Sequence, residues 1–445
     1  MISPSKIPVQ PRRVPRPALL ATLLAGSLAA SPAIAQAPPP TWQGVYEGTI
    51  GKARIVLALN PLSARYFYAG KTNDLGLMIP DNGDLSRLQE TLAPDMGDDD
   101  IKTKPKLATG VWSVSYDKGT LSGTWRTPGG KNEQPIALKR LSTGDEGSYA
   151  VTMTLDNPGV YATRWLRAAP ALIASDKETT IGPLTLKNMR DPSFGGEVPR
   201  LVKAPESVRI DAVNAGLERL QRYLRLTDRE CFQGSRTFRA RISDDPVTAL
   251  DKKSSDDEDN ATVLKATFAT DRLLTLEESH MTFCGGAHPN MSLAMYTFDL
   301  SDGALVTGAG SGADAFDDLG PKGLGRALDL GTPGKRAKFD SVWKGAMRAG
   351  IAAERAATKA AKKGKTAKQD DADGDCGKLI ESKLDEKPLT IHAYPTTKGL
   401  AVRVAGFPHY AQVCEVSDPI NPVVLPYAAL TPFLKSGQTL LPTGK

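Results

Sequence analysis

Short runs of alternating apolar and polar residues dominate the chain between residues 41 and 141. This alternation is typical of half-buried β-strands, and glycine-containing turns separate the runs. The clearest case is Thr109–Tyr116, which the Asp117-Lys-Gly119 turn joins to a second alternating run, Thr120–Trp125. We therefore predict a small antiparallel β domain over 41–141.

Helical periodicity appears only in the second half of the chain. Apolar residues recur on one face from about Glu206 to Leu226, and again around Phe339–Ile351. Several strand-like runs lie between and after these helices, among them Thr237–Ile242, which follows Cys231. The pattern predicts an α+β domain over 201–445, with 142–200 as a connector that has some structure of its own.

The first 35 residues have the pattern of an export signal. Four basic residues precede an apolar stretch, Ala18–Ala30, that is too short for a stable membrane anchor. Ala33-Ile-Ala35 matches a cleavage site, so the mature chain is expected to begin at Gln36. We expect a periplasmic or secreted protein without a stable membrane anchor.

The charge balance changes once the signal is set aside. The whole chain has a net charge of +6, but beyond residue 35 it contains 52 basic and 50 acidic residues. A protein that binds nucleic acid commonly carries a marked basic excess. The near balance gives no support for nucleic acid as a partner, and the sequence does not indicate an oligomeric state.

One stretch, Met281–Asn290, joins two strand-like runs and contains the sequence Cys-Gly-Gly-Ala-His-Pro-Asn. Its adjacent glycines permit backbone conformations closed to other residues, and the proline fixes its own φ. We therefore predict a bent connection between two strands. It carries Cys284 and His288, which is one of only four histidines in the chain.

The four cysteines, an even number, indicate two disulfides in an exported chain. Three pairings are possible, and we favour the two that close local loops. The alternative, a zinc site that uses all four, is disfavoured because the chain has no Cys-x-x-Cys pair. The predicted pairs are Cys231–Cys284 and Cys376–Cys414.

Three features of the second half resemble a known family when taken together. They are Val213-Asn214 within the predicted helix, the Cys-Gly-Gly-Ala-His-Pro-Asn motif with Tyr296–Gly303 after it, and the late Val424–Tyr427 run with Leu430. Over about 201–436 the chain resembles an exported domain of unknown function from the extracellular part of lysozyme-sensing anti-sigma factors, which also has relatives beside some peptidoglycan deacetylases. The resemblance implies helices packed on an antiparallel sheet, and no known active site.

His288 is the one residue that the sequence offers for catalysis. A glycine turn can expose an imidazole for acid–base work, but such a ring more often satisfies neighbouring backbone groups. His280 and His409 would have to join it to bind a metal, and their spacing does not require this. The glycine-rich Gly308–Ala313 lacks the apolar helix that a dinucleotide site needs. We therefore predict no metal and no cofactor.

These observations favour a cell-envelope protein that acts by binding rather than by catalysis. Its partner would be an envelope protein or a ligand derived from peptidoglycan. The competing hypothesis is an envelope hydrolase that uses His288.

Overall fold

A computed structural model provides the structure of this chain. It describes residues 41–61, 64–143, 155–251, 261–285, 290–308, 318–320, 322–362, 376–386, 389–407, 414 and 420–442. Helices and several antiparallel sheets are present, so the fold class is α+β, as the sequence predicts.

The first eight strands form a closed antiparallel barrel in which each strand pairs with its neighbours in sequence and β1 pairs with β8. Side chains alternate between the interior and the outer wall, so that Trp112 and Val114 of β6 are buried in the barrel core. The strands are β1 (Gly44–Ile50), β2 (Ala53–Leu59), β3 (Ala64–Tyr68), β4 (Leu75–Met78), β5 (Leu88–Thr91), β6 (Ala108–Asp117), β7 (Thr120–Arg126) and β8 (Gln134–Ser142).

The β5–β6 connection contains the helix α1 (Asp98–Thr103). The acidic run Asp98–Asp100 forms the first turn of this helix. The carboxylate of Asp100 accepts a hydrogen bond from the Gly97 amide at 2.9 Å, which satisfies a donor at the helix start. Two 3-10 turns, Leu85–Arg87 and Pro105–Leu107, flank β5 and α1.

The stretch after the barrel contains one helix, α2 (Val160–Ala168), and three strands. Tyr161 and Trp165 of α2 are buried against the outer wall of the barrel, together with Phe67 of β3. The strands form a sheet in the order β11-β10-β9, with bounds β9 (Ile173–Ile181), β10 (Leu184–Arg190) and β11 (Glu197–Lys203).

The long helix α3 (Ile210–Ile242) corrects the sequence prediction at its C-terminal half. We predicted a helix that ends near Leu226 and a strand at Thr237–Ile242, but the helix continues without a break through both. Its apolar stripe ends near Leu226 because the next turns bury polar side chains that have specific partners, such as Asp228 and Arg229. Apolar periodicity does not detect a helix that is buried by ion pairs and hydrogen bonds.

A four-stranded sheet, in the order β12-β13-β14-β15, packs its apolar residues with α3 in one core. Its strands are β12 (Leu264–Ala269), β13 (Leu273–Thr282), β14 (Asn290–Asp299) and β15 (Ala304–Thr307). β13 and β14 pair from Leu273↔Asp299 to Thr282↔Asn290, so the two strands predicted on either side of this stretch are present.

The C-terminal part adds a separate core around a second long helix. Phe339, Trp343, Met347 and Ile351 of this helix are buried, as their spacing predicts. The remaining α-helices and strands of the described residues are α4 (Pro246–Asp251), α5 (Pro333–Lys362), α6 (Cys376–Lys383), β16 (Ile391–Thr396), β17 (Gly399–Val404), β18 (Val423–Leu425) and α7 (Tyr427–Leu430). The last three strands form a sheet in the order β16-β17-β18.

Both predicted disulfides are present. The Cα atoms of Cys231 and Cys284 are 4.3 Å apart, and those of Cys376 and Cys414 are 5.2 Å apart. Cys231 lies inside α3 rather than beyond its end, so the first bond joins the middle of this helix to the end of β13. A loop of 53 residues closed in this way contributes about 4 kcal/mol by restricting the unfolded chain.

Backbone contact reinforces the first disulfide. Gly285 has φ +87°, which favours glycine, and a Cβ atom there would lie 2.3 Å from the Gly234 carbonyl oxygen of α3. Gly234 is equally restricted, because its own Cβ atom would lie 2.3 Å from the Cys284 carbonyl oxygen. The two glycines allow the helix and the strand end to approach closely enough for the bond.

Candidate functional site

A groove of about 620 Å³ runs along the outer wall of the barrel over β4 and β5. Its floor and walls combine apolar side chains with four charged ones. The lining residues are Pro61, Ala64, Gly76, Leu77, Met78, Ile79, Pro80, Asp81, Arg87, Leu88, Gln89, Thr91, Asp95, Met96, Gly97, Asp98 and Val111. We call this the barrel-wall groove.

One wall of the groove is the segment 92–98, which folds back over β4. Gly76 makes this possible because a Cβ atom there would lie 2.5 Å from Thr91 Oγ1 and 2.6 Å from the Ala93 carbonyl oxygen. A side chain at position 76 would push the segment off the barrel. The groove lies between this segment and the opposite wall, which includes Ile79.

The C-terminal half of α3 holds this wall in place. Thr237 Oγ1 donates to the Pro94 carbonyl oxygen at 3.1 Å. Arg241 donates to the Asp95 carbonyl oxygen, and its Nε donates to the Asp100 carboxylate at 3.0 Å. The extension of the helix beyond Leu226 therefore positions the groove.

The charged side chains of the groove are exposed and free to meet a ligand. Asp81, Arg87, Asp95 and Asp98 form no ion pair with another residue in the described ranges. Asp95 sits in the left-handed region with φ +58°, a conformation that Asp and Asn adopt more readily than most residues. Three carboxylates and one guanidinium thus surround a partly apolar floor.

The barrel interior directly behind the groove is fixed by a buried carboxylate. Glu90 accepts hydrogen bonds from Tyr66, Trp112 and Trp125 on one oxygen, at 2.7 to 2.8 Å, and from Thr109 on the other, at 2.7 Å. Four donors satisfy the carboxylate without a cation. This network gives the neighbouring residues of β5 a rigid support.

A buried ionic cluster joins the barrel to α3. Arg229 and Asp74 are both fully buried and form an ion pair, and Arg229 Nη1 also lies 3.1 Å from Glu230. Arg65 of β3 pairs with Glu230 at 3.0 Å. The guanidinium of Arg229 lies 4.7 Å from the Trp165 ring centroid. The cluster fixes the helix that positions the groove.

Another buried carboxylate lies where α3 meets the β9–β11 sheet. Asp228 accepts bonds from the Thr262 amide at 3.1 Å and the Thr262 hydroxyl at 2.6 Å, and it borders a cavity of about 10 Å³. Burial raises the pKa of Asp228 to about 7, against the effect of the Thr262 bonds, and the charges of Glu278 and Asp191 add to the rise.

His392 and Asp318 form a further polar pair. Nδ1 of His392 lies 3.4 Å from the Asp318 carboxylate, which also accepts bonds from the Gly308 and Ala393 amides at 3.0 and 2.9 Å. Burial raises the pKa of Asp318, while the nearby imidazole opposes this rise. Sequence analysis did not single out this pair, because 74 residues separate its members.

The structure does not describe the side chains of the three histidines that the sequence analysis names as candidates. His288 and His409 lie outside the described ranges, as do residues 309–317, which include most of the Gly308–Ala313 run. His280 belongs to β13, but its side chain is not among those described. Within the ranges given above, no group of three or more potential ligands is arranged to bind a metal.

The groove was not predicted from the sequence. Asp98 belongs to the run Asp98–Asp100, which by itself does not indicate a groove. Arg87, Asp81 and Asp95 lie in separate connections, so their spacing carries no signal. Only barrel closure and the fold-back of 92–98 bring them together.

No helix within the described residues is both long and apolar enough to span a membrane. Two disulfides are typical of proteins from oxidising compartments. Comparison of the sequence with models of known protein families and with curated proteins finds no match.

Proposed function

We propose that this chain is an exported cell-envelope protein, periplasmic or secreted, that acts by binding a protein or a wall-derived ligand. The observation that carries the proposal is the barrel-wall groove. Its volume of about 620 Å³ falls in the range of ligand sites, which combine apolar surface with a few convergent polar groups.

Four further features support the proposal. The first 35 residues have the pattern of an export signal, and two disulfides suit an oxidising compartment. The second half resembles a domain from extracellular sensing proteins. The fixed carboxylate network behind the groove supplies the preformed surface that binding favours.

Filling the groove tests this proposal. Val111 projects from the outer face of β6 into the groove, so Val111→Trp is expected to weaken binding at least tenfold by occupying the ligand's volume. The measurement is the affinity of the mature chain for muropeptides released from purified sacculi, and for proteins of an envelope extract.

Ser115→Trp is the matched control, because Ser115 lies on the same strand and the same face but outside the groove. It is expected to bind like the wild type. Equal binding by the two variants would contradict the assignment of the groove. Muropeptide cleavage that is lost in His288→Ala would instead support the hydrolase hypothesis.

A further inference from the structure

The charges that line the barrel-wall groove do not cancel. Asp81, Asp95 and Asp98 contribute three exposed carboxylates, and Arg87 contributes one guanidinium. The register of β4 with β5 brings Asp81 to the end of the strand pair where Arg87 lies, so these two charges oppose each other there. Three negative groups and one positive group leave the lining with a net charge of −2, whatever their order along the groove.

The ion pairs beside the groove are balanced and do not offset this excess. Asp99 pairs with Lys102 at 3.3 Å, and Asp100 pairs with Arg241 at 3.0 Å. Lys104 is engaged at the C-terminal end of α3, where its ammonium group donates to carbonyl oxygens. The buried cluster that joins the barrel to α3 contains two carboxylates and two guanidinium groups. The excess negative charge of the groove therefore remains for a ligand.

Two buried acidic side chains behind the groove strengthen its preference for a cation. Glu90 lies on the inner side of β5, whose outer side lines the groove, and its four hydrogen-bond donors are all uncharged. They satisfy its oxygens without supplying a counter-charge. Burial raises the pKa of Glu230 to about 8 against the effect of Arg65, and the charges of Asp74 and Asp95 add to the rise. A cation beside Asp95 would relieve this repulsion.

The floor of the groove suits an aliphatic chain. Met78 and Met96 are unbranched thioethers that adjust to irregular shapes, and Ile79 and Val111 add branched apolar surface. A metal ion gains nothing from such a surface, because hard cations bind through oxygen ligands. An amine at the end of an aliphatic stem matches both features, since its stem covers the apolar floor while its charge reaches the carboxylates.

We propose that the groove binds a short peptide through an alkylammonium side chain, with the stem on Met78 and Met96 and the charge beside Asp95 and Asp98. This inference rests on the proposed function and narrows its ligand to one chemical class. The volume of the groove exceeds that of one such side chain, so neighbouring peptide groups also fit. An anionic ligand would meet three carboxylates, and an uncharged one would leave their charge without a partner.

Two kinds of short peptide carry this group. In a stem peptide derived from peptidoglycan, the amine belongs to the side chain of a diamino acid. In a peptide released from a protein, it belongs to a lysine. The groove recognises the alkylammonium that the two share, and separate probes distinguish the sources.

The test compares probes that differ in a single charge. One pair is the tripeptide Ala-Lys-Ala, blocked at both termini, with its lysine amine free or acetylated. The other pair is muropeptides with the side-chain amine free or acetylated. In the wild type, the source that binds is expected to show about fivefold higher affinity with its amine free than with it acetylated, as for exposed ion pairs. Blocked Ala-Glu-Ala, the anionic probe, is expected to bind most weakly.

Two charge variants are expected to act in opposite directions. Asp95→Asn/Asp98→Asn lowers the ratio of the two affinities to about one and leaves the acetylated probe unaffected. Asparagine tolerates the left-handed backbone at position 95. Arg87→Gln removes the opposing charge and is expected to raise the affinity for the free amine about twofold. Asp117→Asn, at the exposed β6–β7 turn, is the matched control and keeps the wild-type ratio.

The outcomes separate this inference from the function on which it rests. Binding that is lost in Val111→Trp but is equal for free and acetylated amines would overturn the cationic ligand and leave the binding function standing. A wild-type ratio that persists in Asp95→Asn/Asp98→Asn, or an affinity for the free amine that falls in Arg87→Gln, would overturn the roles given to these charges. If the wild type binds no muropeptide, peptide or envelope protein, the proposed function itself fails.

Discussion

Asp74→Asn is expected to destabilise the folded protein by about 3 kcal/mol, measured as the free energy of unfolding in urea. Asp74 and Arg229 are both fully buried, one in the β3–β4 connection and the other in α3. Removing the carboxylate leaves the Arg229 guanidinium without its closest counter-charge, and Glu230 at 3.1 Å compensates only in part. It also removes a counter-charge from the buried Arg65, whose Nη1 lies 3.6 Å from Asp74 and which keeps its pair with Glu230. The loss of stability comes from a buried charge that has lost its main partner.

A double variant separates this cause from a simple packing defect. Asp74→Asn/Arg229→Met removes both charges and is expected to recover much of the lost stability, because a buried pair often contributes little relative to apolar replacements. A double variant that is as unstable as the sum of the two single changes would contradict the role given to the pair.

The second large effect is a pH dependence that Asp228 introduces. Its pKa is raised from 3.8 to about 7 in the folded protein, so between these values the folded state holds a proton that the unfolded chain releases. Stability therefore decreases as pH rises through this window. Between pH 5 and pH 8 this group alone is expected to lower the free energy of unfolding by about 3 kcal/mol.

Asp228→Asn is expected to remove this slope and to be more stable than the wild type at pH 8. The amide oxygen still accepts from Thr262, and no negative charge is buried beside those of Asp191 and Glu278. Other groups also titrate, since burial raises the pKa of Glu230 to about 8 against the effect of Arg65. The difference between wild type and variant isolates Asp228.

Asp211→Asn is the matched control, because Asp211 lies at the exposed start of the same helix. Urea unfolding at pH 5 and pH 8 for all three proteins provides the measurement. A pH slope that is unchanged in Asp228→Asn would show that this carboxylate is ionised in the folded protein throughout the range.

Local patterns predicted much of the fold. The alternation around Trp112 and the hairpin turn at Asp117–Gly119 identify β6 and β7 directly. Both disulfides followed from their short separation along the chain. For the hairpin, residues close in sequence determine the structure, so a short window of sequence is sufficient.

The failures share one physical cause. Helix α3 was predicted to stop near Leu226, where its apolar periodicity ends. Its later turns are buried by charge pairs instead, such as that of Arg229 with Asp74, and these two residues are 155 positions apart in the sequence. The groove depends on the same long-range contacts, since Arg241 of α3 holds the segment around Asp95. Polar burial and nonlocal packing leave no periodic signal in the sequence.

Hydrogen exchange with and without muropeptides from purified sacculi tests the central claim most directly, because it locates a bound ligand without any substitution. Binding in the barrel-wall groove predicts slower amide exchange in residues 76–81 and 87–98. Exchange in β9 and in α5, which do not line the groove, is expected to stay unchanged. Protection confined to the β13–β14 connection, with none in 76–98, would contradict the groove as the ligand site.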